Sequence, residues 1–196
     1  MDDLLNKINI RIRRYKPLTR KGLTHTTWKE NKTLQITYRS RGCRNSAQGS
    51  CLMCDYGAGK NLTLDETSAI LPDVLSSVEF EVEELVLNSY GSFLDEYEIP
   101  KENRIEVLKQ IAETQIPYIT FETHYRTVTS EVMDEIQYYI GDRTIAYEMG
   151  LESADPYVLE CCLNKDIHLG QLVECIQQIH SYGHLAIFNV LFGSPF

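Results

Sequence analysis

Five short apolar runs, each followed by a helix-length stretch, constrain what this chain can fold into. The runs cover residues 34–39, 84–88, 118–122, 144–149 and 186–192. Strand-sized runs alternating with amphipathic segments are the pattern of parallel βα units. The segments between them carry helix punctuation. Thr63 offers an N-cap, with Glu66 as its capping-box partner, for a helix reaching residue 77. Pro100 introduces a helix over 104–114 with Ile105, Leu108, Ile111 and Ala112 on one face. Ser130 is placed to cap 131–139, residues 156–162 read as helical, and Gly183 stops a helix over 169–182. An α/β fold with about five parallel strands and right-handed crossovers follows.

At 196 residues the chain has the length of one domain with a real core. No apolar run approaches the roughly 20 residues of a membrane span, and residues 1–16 lack the apolar stretch of a secretory signal. The expected compartment is the cytoplasm, where clustered cysteines read as metal or redox ligands before disulfides. Charge is uneven. Lys7, Arg11, Arg13, Arg14, Lys16, Arg20 and Lys21 against Asp2 and Asp3 give residues 1–22 a net +5, so the rest of the −9 chain carries −14. Such an arm can touch RNA phosphates or serve as a solvated strap. The acidic remainder argues against broad, nonspecific nucleic-acid binding.

Chemistry concentrates directly after the first predicted strand. Cys43, Cys51 and Cys54 lie within twelve residues, in the spacing C-x7-C-x2-C. A closed zinc site takes four ligands, and an electron-transfer 4Fe-4S cluster usually takes four cysteines. Three cysteines would leave one iron of such a cluster open to a substrate or cofactor. The residues alone leave an iron–sulfur cluster, zinc with an outside ligand, and an incidental grouping all open. Arg41 and Arg44 would offset thiolate charge. Cys161, Cys162 and Cys175 fall on predicted helices. Adjacent helical positions point about 100° apart, so these three read as core thiols.

The loop Arg41-Gly42-Cys43 with Gly49-Ser50-Cys51-Leu52-Met53-Cys54-Asp55-Tyr56 resembles the radical S-adenosylmethionine superfamily. It is most similar to the group around the Elongator catalytic subunit, the methylthiotransferases and the radical enzymes of archaeosine synthesis. The commoner spacing in the superfamily is C-x3-C-x2-C, so the first gap of seven departs from it. Further segments match in order. They are Asn88-Ser89-Tyr90-Gly91-Ser92-Phe93-Leu94-Asp95 with Glu98-Ile99-Pro100, then Glu122-Thr123-His124-Tyr125-Arg126, then Gly150-Leu151-Glu152-Ser153-Ala154-Asp155 with Leu163-Asn164-Lys165, and finally Leu191-Phe192-Gly193-Ser194-Pro195-Phe196. His124 and Tyr125 depart from the family's third-strand segment.

The resemblance implies a partial (βα)6 barrel over 34–196 after a basic arm over 1–33, completed by a further C-terminal region or a partner protein. It implies that Cys43, Cys51 and Cys54 hold a 4Fe-4S cluster whose open iron binds S-adenosylmethionine. An external electron donor would drive cleavage to a 5′-deoxyadenosyl radical, which abstracts hydrogen from a substrate such as a modified tRNA nucleoside. Radical chemistry on a small molecule, or a noncatalytic zinc- or cluster-binding module acting with a partner, are the alternatives. Ser89, Gly91 and Ser92 match the position that meets the cofactor's amino group, and Met53 and Tyr56 stand near its adenine. Glu152 with Ser153 is the ribose candidate. Glu122 and Glu148, at strand ends, would face ribose hydroxyls, the ammonium or a basic substrate group. His124 offers an acid/base or a bland polar side chain, Arg126 an anion partner or a structural ion pair, and Lys165 a family match or a surface residue.

Overall fold

The computed structural model describes residues 24–47, 51, 52, 54 and 59–192. One sheet runs in the order β1 (His25–Glu30), β2 (Thr33–Tyr38), β3 (Glu84–Asn88), β4 (Tyr118–Glu122), β5 (Thr144–Glu152) and β6 (Leu185–Val190). Strands β2 to β6 are parallel and neighbour one another in chain order, as successive βα units require. The expected five parallel strands are therefore present in an α/β fold.

Strand β1 is an addition that pairs antiparallel with β2, from His25 opposite Tyr38 to Glu30 opposite Thr33. Asn31 and Lys32 turn the hairpin at φ 47° and 68°, both in the region a two-residue type I′ turn demands. Lysine instead of glycine at the second position hid that signal in the sequence. Part of the segment 1–33 thus belongs to the sheet, while its basic residues at 7–21 lie outside the described residues.

The connecting helices are α1 (Arg44–Ala47), α2 (Leu64–Ser76), α3 (Lys101–Ala112), α4 (Ser130–Ile140) and α5 (Leu169–Ser181). Thr63 and Glu66 form the expected reciprocal capping box on α2. Helix α4 is capped one residue earlier than expected. Thr129 keeps an extended backbone and its hydroxyl accepts from the Val132 N–H at 3.3 Å, so Ser130 becomes the first helical residue. Residues Val158–Cys162 form a single π-type turn instead of an α-helix, closed by Leu163 N–H donating to the Val158 carbonyl. Among the described residues no helix is long and apolar enough to cross a membrane.

Strand alternation separates two faces. Leu34, Ile36, Tyr38, Leu85, Leu87, Ile119, Phe121, Ile145, Tyr147 and Met149 are buried in one core with Leu71, Leu108, Ile111, Met133, Ile136 and Ile179 of the helices. Burying each of the larger aliphatic side chains contributes about 1.5–3 kcal/mol. Aromatic rings run through that core from strand to strand. Centroids lie 5.5 Å apart for Tyr38 and Phe93, 5.8 Å for Phe93 and Phe121, and 6.2 Å for Phe121 and Tyr147. The alternate residues make an open, more polar face that includes Thr37, Asn88, Thr120, Glu122 and Glu148. Near its amino end, Glu84 accepts from the hydroxyls of Thr33 at 3.0 Å and Thr120 at 2.9 Å.

Candidate active site

All carboxyl ends of the parallel strands, and the loops that follow them, lie on one side of the sheet, where such folds place their chemistry. After β2 the chain turns through Ser40, Arg41 and Gly42 to Cys43, just ahead of α1. The Cys43 thiol accepts backbone N–H groups from Ser46 and Asn45. Burial pushes this thiol up, and the two amides offset only part of the rise. Cys51 is 8% exposed, and the Asn45 side-chain amide donates to its sulfur at 3.1 Å. Hydrogen bonding from Cys54 brings the Cys51 thiol down to about 7, with Asn45 and the Lys165 charge also acting against burial. Cys51 and Cys54 are therefore paired, and Cys43 is near enough to feel the charge of Cys51. Among the described residues, no three side chains of His, Cys, Asp or Glu converge as a group that could hold a metal ion.

The loop after β3 is pressed against this cysteine. A Cβ on Gly91 would lie 2.5 Å from the Cys43 Cβ and 2.5 Å from Glu98 Oε1, so only glycine admits this approach. Glu98, 1% exposed, is the hub of the region. Its Oε2 accepts from the Ser40 hydroxyl at 3.0 Å and the Ser89 hydroxyl at 2.8 Å. Its Oε1 accepts the Ser92 backbone N–H at 2.8 Å. Burial raises this carboxyl from an ordinary 4.5 to about 7, against the three hydrogen bonds. Ser40 Oγ in turn accepts the Gly42 N–H at 3.0 Å. One carboxylate thus ties the turn entering the cysteine loop to the loop after β3. Glu98 was not singled out as a site residue in the sequence, because Ser40 lies 58 residues away and no local spacing marks the contact.

No family model matches the chain. It is 28% identical over 159 residues to the archaeosine synthase subunit beta of Methanosarcina acetivorans, covering 79% of this chain and 46% of the relative. It is 26% identical over 160 residues to an uncharacterized protein of Methanocaldococcus jannaschii, covering 77% of this chain and 44% of that one. The fold matches the queuine lyase of Clostridium spiroforme, solved bound to SAM and queuine. The TM-score is 0.54 with 19% identity, over 88% of this chain and 82% of that one. The chain is thus similar in sequence to an archaeosine synthase subunit and in fold to a SAM-bound lyase. The chain spans less than half the length of the two curated relatives.

The remaining expected residues of the candidate site divide clearly. Met53 and Tyr56 lie outside the described residues. Ser89 and Ser92 stand at the strand ends, but their hydroxyls turn inward, Ser89 to Glu98 and Ser92 to the hydroxyls of Thr123 at 2.6 Å and Thr127 at 3.1 Å. Glu152 takes φ +66° at the end of β5 and accepts from Lys165 Nζ at 2.8 Å. This ion pair lies directly over Gly150, whose absent Cβ would sit 2.8 Å from Glu152 Oε1 and 2.9 Å from Lys165 Nζ. The Ser153 hydroxyl accepts the Asp155 N–H at 3.1 Å, which closes a turn before the π-type segment.

Arg126 forms an ion pair with Asp166, and His124 Nδ1 accepts the Arg126 N–H at 3.3 Å. Burial, followed by the nearby Arg126 and Lys165 charges, brings His124 down to about 4, so its ring is neutral near pH 7. Both of these side chains follow the structural alternative. Glu122 and Glu148 are side by side on the open face. Burial and then the Glu148 charge raise the Glu122 carboxyl to about 7. Of the other cysteines, Cys175 is buried and donates to the Tyr125 carbonyl at 3.4 Å.

Proposed function

We propose that this chain is the core of a radical SAM enzyme. Cys43, Cys51 and Cys54 would hold a 4Fe-4S cluster, and the β3 and β5 ends would hold S-adenosylmethionine. The observation that carries this reading is the contact of Cys43 with Gly91, which sets the loop after β3 against a candidate ligand. The donor set fits the cluster. Cys43 and Cys51 accept amide N–H bonds that favour thiolate, the form that binds metal. Three thiolates leave one iron of a 4Fe-4S cluster open, whereas a closed zinc site takes four ligands.

With cluster and cofactor bound, such a site supplies one-electron cleavage of the sulfonium and hence a carbon radical for hydrogen abstraction. The chain's own residues bind and orient. Because the Ser89 and Ser92 hydroxyls are committed to the interior, the loop would meet the cofactor's ammonium through backbone carbonyls. The Glu152 carboxylate, fixed by Lys165, is the ribose acceptor, beside Ser153. Met53 and Tyr56 remain the adenine candidates. An external donor supplies the electron. A modified tRNA nucleoside is the substrate that the archaeosine synthase relative favours, with a further protein or region completing the site.

Anaerobic reconstitution tests this. About four irons and four sulfides per chain are expected, as a 4Fe-4S cluster requires, with a reduced-state EPR signal that S-adenosylmethionine alters. One zinc per chain, or a signal indifferent to the cofactor, would overturn the reading.

A further inference from the structure

One row of side chains on the open face keeps acceptor oxygens unused. Thr37 of β2 is in register with Asn88 of β3, Asn88 leads by the next step of the β3–β4 register to Glu122, and Glu122 pairs with Glu148 of β5. These positions share the face opposite the apolar core. Asn88 is 6% exposed, yet its Oδ1 has no hydrogen-bond partner. A buried acceptor left unmade in this way costs about 1–3 kcal/mol. Among the described residues, the Glu122 carboxylate makes no hydrogen bond or ion pair, and the one charge that perturbs it is the like charge of Glu148. Glu148 Oε1 accepts from Asn189 Nδ2 at 2.9 Å, leaving its second oxygen open. The nearby cations are already engaged, Lys165 with Glu152 and Arg126 with Asp166.

We infer that Asn88, Glu122 and Glu148 form a subsite for a protonated amine on the substrate. An ammonium has three N–H donors and no acceptor, which complements three acceptors on adjacent strands. Its positive charge relieves the repulsion between the two carboxylates. A metal ion fits less well, because two carboxylates find no third metal-ligating His, Cys, Asp or Glu among the described residues. The inference rests on the radical SAM reading for the position of the row, at the strand ends beside the cofactor loops. It adds that the amine occupies a place separate from the cofactor's own ammonium, which the loop after β3 receives.

The test uses the full reconstituted chain with glutamate 13C-labelled at the carboxyl carbon, and n-butylammonium and 1-butanol as probes. Saturable shifts of the Glu122 and Glu148 signals are expected with the ammonium, none with the alcohol, and the shifts should persist when S-adenosylmethionine is saturating. Glu122→Gln, read at Glu148, and Asn88→Ala should each weaken the ammonium about tenfold, the effect of losing one charge-assisted or buried hydrogen bond. Circular dichroism establishes that both variants are folded. Displacement of the ammonium by the cofactor would overturn the inference by giving the row to the cofactor. Equal shifts with butanol, the absence of saturable shifts, or tighter response to magnesium would overturn it as well. A chain that fails to bind S-adenosylmethionine at all but keeps the ammonium shifts would instead count against the radical SAM reading.

Discussion

Replacing Glu98 should produce a stability change whose size depends on pH in a way the structure dictates. The wild-type carboxyl rises from 4.5 unfolded to about 7 folded. At about 1.4 kcal/mol per tenfold change in proton affinity, the rise corresponds to about 3 kcal/mol. The folded state binds the proton more tightly, so this contribution is complete below pH 4.5. It is lost as pH rises and is gone above about 7. Glu98→Gln keeps the shape and can still accept the Ser92 N–H, but it does not ionise. In urea denaturation of the metal-free chain, the variant should match wild type near pH 5 and exceed it by up to about 3 kcal/mol near pH 8. Glu98→Ala loses three hydrogen bonds, at about 1 kcal/mol each, and strands the buried Ser92 N–H. It should be destabilised by about 3–5 kcal/mol at pH 5 and far less at pH 8, where it also sheds the buried charge. Glu122 titrates in the same window, so the informative quantity is the difference between variant and wild type. Parallel pH profiles for Glu98→Gln and wild type would refute the reasoning.

Three other perturbations follow from packing and charge. Gly91→Ala places a methyl group 2.5 Å from both the Cys43 Cβ and Glu98 Oε1; a loss of about 1–3 kcal/mol by chemical denaturation, with lower iron uptake, is expected. Arg104, 1% exposed, donates to Glu135 at 2.8 Å. Arg104→Ala leaves that largely buried carboxylate without its main partner and should cost about 3–5 kcal/mol in a urea titration. His124, held at about 4 in the fold against 6.5 unfolded, contributes stability above pH 6.5 that is lost as pH falls toward 4. His124→Gln should therefore flatten the acid limb of the stability profile while leaving stability at pH 8 little changed; an unchanged acid limb would count against the buried neutral ring.

Local chemistry made much of this architecture readable. The α2 capping box lies within four consecutive residues, and the apolar runs of β2 to β5 need only their own composition to declare themselves. What escaped depends on distant or ambiguous partners. Strand β1 exists because it finds β2 across a turn without glycine. Adjacent Thr129 and Ser130 are chemically equivalent caps until tertiary contacts choose between them. At the candidate site the cysteines and strand-end acids were visible as residue types. Their orientations were not. The Ser89 hydroxyl points to Glu98 because a buried carboxylate needs donors, and Arg126 turns to Asp166 because that anion is within reach. Asn88 drew notice only as part of a motif, since nothing in a sequence reveals an amide oxygen left without a donor.

The close fit of Gly91 between Cys43 and Glu98 has a consequence for how related sequences can diverge. The Cys43 and Glu98 side chains fill the space a Cβ at 91 would need, so none of the three positions can be exchanged independently. A larger residue at 91 is admissible only if position 98 shortens, which releases Ser40, Ser89 and Ser92 together. An aligned set of homologues should therefore show positions 43, 91 and 98 inherited as a block, with Ser40 and Ser89 varying in step, while the exposed loops around them drift freely.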